Sequence, residues 1–179
     1  MALTATIYTF AIELADVDRG VYETLDLRVA QQPSETPEFL LTRVLAYCLE
    51  YAPGIAFSPG ISAGDEPAIW VRDLTGRVLA WIEVGMPDAE RLHRGSKHAE
   101  RAAVYTHRQP ELLLQQLSGK RIHCAETIPI YAIDYRLVKA LVALLDRRMS
   151  LSLSVTERQL YIDIAGQHLS GAIAEYRLS

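Results

Sequence analysis

Residues 64–98 read GDEPAIWVRDLTGRVLAWIEVGMPDAERLHRGSKH, and this stretch decides the fold. Asp73-Leu74-Thr75-Gly76 places Asp first and Gly fourth, the signature of a type I turn. The runs on either side, Ala68 to Arg72 and Val78 to Val84, are apolar and β-branched and predict a hairpin. Within Val78 to Val84, Leu79, Trp81 and Glu83 share one face while Val78, Ala80, Ile82 and Val84 share the other. Both faces are apolar except for Glu83, so this is a central strand carrying one acid. A buried carboxylate requires a cation or strong hydrogen bonds, because leaving it unpaired costs roughly several kcal/mol. Glu83 is therefore either half of an ion pair with a nearby Arg or a metal ligand or general base.

Pro87 to about His98 reads as a helix, and Ala102 to Thr106 as a short buried strand after it. Strand, helix and strand in that order predict a right-handed crossover between parallel strands. Asp65 and Glu66 stand just before the first hairpin strand, whose start lies near the end of the second. The hairpin therefore brings Glu66 towards Glu83, and two or three carboxylates at one sheet edge suit a hard divalent cation such as Mg²⁺. Asp65 reads as a solvated loop charge. The helix carries Arg91, Arg94, His98 and Arg101 at spacings of three, four and three, which form one stripe, with Lys97 beside it. His107 and Arg108 follow the next strand. Such a stripe is either a solvated helix face or a track for a phosphate backbone.

Upstream, Leu3 to Leu14 and the alternating Val21 to Val29 predict two antiparallel strands joined by the turn Asp16 to Gly20. That turn lacks the glycine position and closing glutamate of a calcium loop. Thr36 predicts an N-cap with Pro37 at the first helical position, Leu40, Leu41, Val44, Leu45 and Cys48 form the apolar stripe, and Pro53-Gly54 stops the helix. Glu35 and Glu38 suit the positive end of that helix dipole. Downstream come a short strand at Ile55 to Phe57, a helix at Pro110 to Leu117, a strand at Thr127 to Ile133 and a helix from Asp134 to about Arg147. Arg147 and Arg148 are expected to complement its negative end. Alternation through Leu151, Leu153 and Val155, through Leu160, Ile162 and Ile164, and on from Leu169 to Leu178 predicts a closing β meander.

The chain has 179 residues, half of them hydrophobic and 22% charged, which predicts a single folded domain over 1–179. A net charge of −4 argues against general attraction to nucleic acid or anionic lipid, so any such contact must come from a local basic patch. The N-terminus lacks the pattern of a signal peptide, and the apolar run at Leu137 to Leu145 is too short to span a bilayer. Cys48 and Cys124 stand far apart and outside any CxxC, predicting reduced, mostly buried thiols in a cytoplasmic protein. There is no GxSxG or HExxH, and Ser118-Gly119-Lys120 lacks the rest of a P-loop.

Several segments in order resemble the YaeQ family of bacterial proteins. They are Met1 to Leu3, Ala5 to Tyr8, Ala15 to Arg19, Pro33 to Thr36, Asp65 to Pro67, Asp73 to Gly76 and Trp81 to Gly85 with Pro87-Asp88. The family resembles a variant of the PD-(D/E)XK nuclease fold (restriction endonuclease-like), in which an acid after Pro and a Glu on the next strand hold Mg²⁺ and a Lys two residues on helps activate water. The resemblance implies that Pro67 is the motif proline and Glu83 the second acid. Ala68 stands where the first acid is expected and Gly85 where the lysine is expected. Arg94 or Lys97, displaced to the helix, would stabilise developing charge, and Glu35 would supply a further ligand. Pro87-Asp88 spells the motif after the wrong strand.

The expected fold is thus mixed α/β: a central sheet flanked by helices, PD-(D/E)XK nuclease-like, with a C-terminal meander. Three expectations for function follow. In the first, a Mg²⁺-dependent phosphodiesterase acts on DNA or RNA, with Glu66, Glu83 and Glu35 holding the metal and Glu83, Arg94 and Lys97 at the reacting centre. Arg91, Arg94, His98 and Arg101 would then contact nucleic acid. In the second, a non-catalytic nucleic-acid- or protein-binding module keeps the scaffold and the basic stripe after its metal site has decayed, and in the third the chain is a protein-interaction domain with no nucleic-acid role.

Overall fold

Residues 4–58 and 65–178 are described by the structure, a computed structural model. The expected strand start at Leu3 and most of the loop expected between Ser58 and Gly64 lie outside the described residues. The chain divides into two compact units, Met1–Leu41 with Ile133–Ile173, and Thr42–Ala132 with Ala174–Ser179.

In the first unit, alternating apolar residues make β1 (Thr6–Asp16) and β2 (Val21–Gln31), antiparallel, with Phe10 opposite Leu27 and Ile12 opposite Leu25. These four side chains are buried, and the residues between them face outward. Asp16, at the turn, accepts from Arg19 Nε at 2.7 Å. Helix α1 (Pro37–Leu49), which runs from the first unit into the second at Leu41–Thr42, begins as expected, with Thr36 Oγ1 accepting from Phe39 N at 3.1 Å.

The meander is present as β8 (Arg148–Thr156), β9 (Gln159–Ile164) and β10 (Gln167–Arg177), successively antiparallel. Its first strand also runs parallel to β1, with Ile12 level with Leu151. No local pattern announces that pairing; it buries the apolar faces of strands more than a hundred residues apart in sequence.

Helix α4 corrects the expectation. It spans Tyr135–Ala143, with Asp134 Oδ1 accepting from Arg136 N at 2.9 Å. Its end tightens, Leu144 N and Leu145 N bonding three residues back. Arg147 and Arg148 therefore do not complement its dipole. Arg148 opens β8, and Arg147 Nε donates to Ile7 O at 3.0 Å.

The second unit holds β3 (Ile55–Phe57), β4 (Ile69–Arg72), β5 (Val78–Val84), α2 (Ala89–His98), β6 (Arg101–Thr106), α3 (Pro110–Leu117) and β7 (Pro129–Ile133). The strands are ordered β7-β6-β5-β4-β3. The β4–β5 hairpin is antiparallel and β5 and β6 run parallel, as the strand–helix–strand pattern predicts, and β7 lies parallel to β6. Its turn has Gly76 N donating to Asp73 O at 3.0 Å, and Asp73 Oδ1 also accepts from Thr75 and Arg77 N–H. Gly54, at φ +91°, lets Arg72 N reach its carbonyl, where a Cβ would overlap Arg72 O. Before β7 the chain makes a 3₁₀ turn over Ala125–Thr127 in place of the expected strand start.

Leu92 of α2 and Leu113 and Leu117 of α3 cover one face of this sheet, burying Trp81, Ala102, Val104 and Ile130. Each of these leucines contributes about 1.5–3 kcal/mol by leaving water. Gly95 is what lets α2 approach: a Cβ there would stand 2.5 Å from the Trp81 indole.

Candidate functional site

The site forms where β5 ends and α2 begins. Register places Ile69 of β4 opposite Ile82, so one step further Ala68 comes opposite Glu83. Chain reversal after β5 starts at Gly85, whose N–H bonds Tyr105 O at 2.8 Å. Asp88 then caps α2, its Oδ1 accepting from Arg91 N at 2.8 Å. The Asp of the misplaced Pro-Asp pair is therefore a helix cap.

That cap sets Arg91 in the first turn, aimed at the sheet. Arg91 Nε donates to Glu83 Oε2 at 2.7 Å and Nη2 to Oε1 at 3.2 Å. Nη2 also donates to the Glu66 carbonyl at 2.6 Å. Glu83 is 3% exposed and Arg91 24%. Burial pushes the Glu83 carboxyl above the usual carboxylate range, while Arg91 and the Ala68 backbone N–H pull it back down. Arg91 is in turn held above the ordinary guanidinium value, chiefly by its hydrogen bond to Glu83. We read the pair as ionised, because the two-pronged geometry favours both charges.

The hairpin does bring Glu66 towards Glu83, as expected, but the shared partner is a guanidinium. The Glu66 backbone carbonyl meets Arg91, and its Oε2 is buried with no hydrogen-bond partner among the described residues. Glu35 belongs to the other unit, in the turn before α1, where its N–H bonds Gln32 O at 2.9 Å. Among the described residues no three His, Cys, Asp or Glu side chains group so as to hold a metal ion.

The basic stripe is redistributed. Helix α2 stops at His98, with Ala99 N bonding Gly95 O, so Arg101 lies on β6 instead of on the helix. There Arg101 pairs with Glu50, which also accepts from the buried Tyr105 hydroxyl at 2.7 Å. Loss of water pushes the Tyr105 hydroxyl well above its ordinary value. His98 stands edge-on to Trp81, ring centroids 6.1 Å apart. Of the four expected contact residues, Arg94 and His98 are exposed on the helix, and Arg94 pairs with Glu90 at 3.2 Å. Lys97 is exposed beside it. Glu90, His93, Arg94, Lys97 and His98 line a shallow depression of about 400 Å³.

Sequence reasoning missed the second half of this basic surface. His93 Nδ1 accepts from His123 N at 3.0 Å, and Ser96 Oγ donates to His123 O at 2.6 Å. These bonds fasten the 118–124 segment to α2. Loss of water and the nearby charges of Lys97 and Arg121, with His123, lower the His93 pKa. The run Lys120-Arg121-Ile122-His123 was the available signal. Cys124 follows it and is exposed, contrary to the expectation of a buried thiol, whereas Cys48 is buried, and neither is in a disulfide.

A mixed α/β protein is thus defined by a buried carboxylate–guanidinium pair at a strand end and a basic surface shared by α2 and the segment after α3. The family described as "YaeQ protein" matches residues 1–172, and the chain belongs to it. It is 34% identical over 165 residues to the "Uncharacterized protein YaeQ" of Escherichia coli (strain K12), covering 90% of each chain. The crystal structure of YaeQ protein from Pseudomonas syringae superimposes with a TM-score of 0.88 at 30% identity, covering 98% of this chain and 97% of that one. The YaeQ protein from Xanthomonas axonopodis pv. citri gives a TM-score of 0.85 at 27% identity, over 98% and 100% of the two chains. No helix among the described residues is long and apolar enough to cross a membrane.

Proposed function

We propose that this chain is a nucleic-acid-binding module on a nuclease-like scaffold, with an internal ion pair where a catalytic metal would stand. One observation carries the reading: both oxygens of Glu83 are taken by Arg91. Ala68, opposite Glu83, brings a methyl group where a second carboxylate would be needed, and it is itself buried. The residues as arranged do not fit Mg²⁺. Arg94 and Lys97 on α2, with Arg121 near enough to act on His93, outnumber Glu90 there and form the local positive surface that an acidic protein needs to approach a phosphate backbone.

Anisotropy titrations of labelled duplex DNA, single-stranded DNA and RNA against salt test this. Affinity should fall linearly in log–log form with salt, and Arg94→Glu with Lys97→Glu should abolish most of it. Affinity that is absent at low salt, or untouched by the variants, defeats the reading.

The alternative is a Mg²⁺-dependent phosphodiesterase in the cytoplasm. It is favoured by Glu66, whose buried Oε2 lacks a hydrogen-bond partner among the described residues. It requires Arg91 to leave Glu83. Calorimetric titration of Mg²⁺ and Mn²⁺ into the wild type and Glu83→Gln decides it: binding lost in the variant supports the metal site, and no binding to either protein removes it.

A further inference from the structure

Beyond the basic surface, the second unit has an open cavity of about 510 Å³ at the end of α3. Its floor is Leu117 and Leu178, both members of the buried core around Trp81. Leu114 and Ile122 form its walls and pack against that core. The rim carries two cations, Lys120 and Arg177, and no acid lines the cavity. Arg177 is held in place, its Nη1 donating to Thr127 O at 3.2 Å and its Nη2 lying 3.3 Å from Glu175 Oε2. Lys120 is exposed, and among the described residues no carboxylate stands within ion-pair distance of it. The volume lies in the range of roughly 300–1,000 Å³ typical of small-molecule sites.

We propose that this cavity binds a small hydrophobic monocarboxylate, its apolar body against Leu114 and Ile122 over the floor of Leu117 and Leu178 and its carboxylate on Lys120. Leu117 and Leu178 are themselves buried, so the surface that gains by covering is that of the half-exposed Leu114 and Ile122. A one-sign rim sets the charge of the head group, and an ammonium beside low-dielectric walls attracts a carboxylate more strongly than it would in open water. A neutral amphiphile would forfeit the rim, and an alkyl cation would be repelled by it. This inference does not rest on the nucleic-acid reading, because Arg94 and Lys97 do not line the cavity.

The test is an NMR titration of the methyl-labelled full chain with decanoate, decanol and decyltrimethylammonium. Decanoate should saturate with shifts centred on the methyls of Leu114, Leu117, Ile122 and Leu178. Decanol should bind at least about tenfold more weakly, a difference of about 1.4 kcal/mol. Lys120→Glu, at an exposed position, should weaken decanoate by about tenfold or more and leave decanol unchanged, while Arg94→Glu changes neither. Ala125→Leu, which narrows the cavity, should weaken both the acid and the alcohol. Equal affinity for acid and alcohol, shifts centred elsewhere, insensitivity to Lys120→Glu, or no saturable shift overturns the proposal.

Discussion

Arg91 reaches Glu83 from the first turn of α2, and the two side chains meet through two hydrogen bonds, 2.7 and 3.2 Å, beside a third from Arg91 to the Glu66 carbonyl. The pair ties the helix to the strand end it follows. Removing one partner leaves the other charge without compensation, and Glu83 is the more deeply buried. Arg91→Met should therefore cost about 3–5 kcal/mol at neutral pH, whereas Glu83→Leu combined with Arg91→Met should recover most of that loss. Urea unfolding of the three proteins measures both.

The same variant has a defined pH dependence. Burial already raises the Glu83 carboxyl, and deleting Arg91 removes the group that opposes the rise. With the folded-state value above the unfolded one, the folded state binds more protons. The associated stability is present below the unfolded carboxyl value and is lost as pH rises through the folded one. Relative to wild type, Arg91→Met should be least impaired in mild acid and most impaired at neutral pH. A deficit independent of pH would mean that Glu83 does not titrate in the variant.

Gly95→Ala pits two effects against each other. Alanine favours a helix interior over glycine by up to about 1 kcal/mol, although Gly95 is buried. The new methyl would stand 2.5 Å from the buried Trp81 ring, however, and neither helix nor indole can yield cheaply. Overpacking of this kind costs about 1–3 kcal/mol, so the expected net result is destabilisation together with a changed Trp81 fluorescence. A stabilised variant would show that α2 shifts freely on the sheet.

His93 should titrate below the ordinary histidine value of about 6.5, because its surroundings exclude water and carry positive charge. A depressed folded value contributes stability that is present above the unfolded value and lost as pH falls through the folded one. Following the imidazole proton resonances against pH gives the midpoint. Arg121→Ala should move it upward, and a midpoint unmoved by that change would sever the electrostatic link between α2 and the 118–124 segment.

Thiol labelling of the native protein should modify Cys124 and spare Cys48, which becomes reactive only on unfolding. Rapid labelling of both in the native state would place Cys48 outside the core.

Much of the fold was legible. The Asp73 to Gly76 turn, the Thr36 cap, the β1–β2 pair, the parallel β5–β6 pair around α2 and the meander all follow from short-range signals. The carboxylate at the strand end was legible too, as a lone acid in an apolar run. Its partner was not. Arg91, Arg94, His98 and Arg101 look alike at helical spacing, yet they end on Glu83, on Glu90, against Trp81 and on Glu50 from β6. The stripe was broken because α2 stops at His98 and Arg101 joins the sheet.

The sequence by itself determined which segments alternate as strands, where hairpins turn and where helices start, because torsional preference, side-chain period and capping act over a few residues. Only the tertiary structure decided that β8 lies parallel to β1, that α4 ends at Ala143, that Cys124 faces solvent and that Arg91 turns inward. Those outcomes follow from burial across long stretches of chain. A guanidinium goes where a desolvated carboxylate most needs it, and that place exists only once the strands have paired.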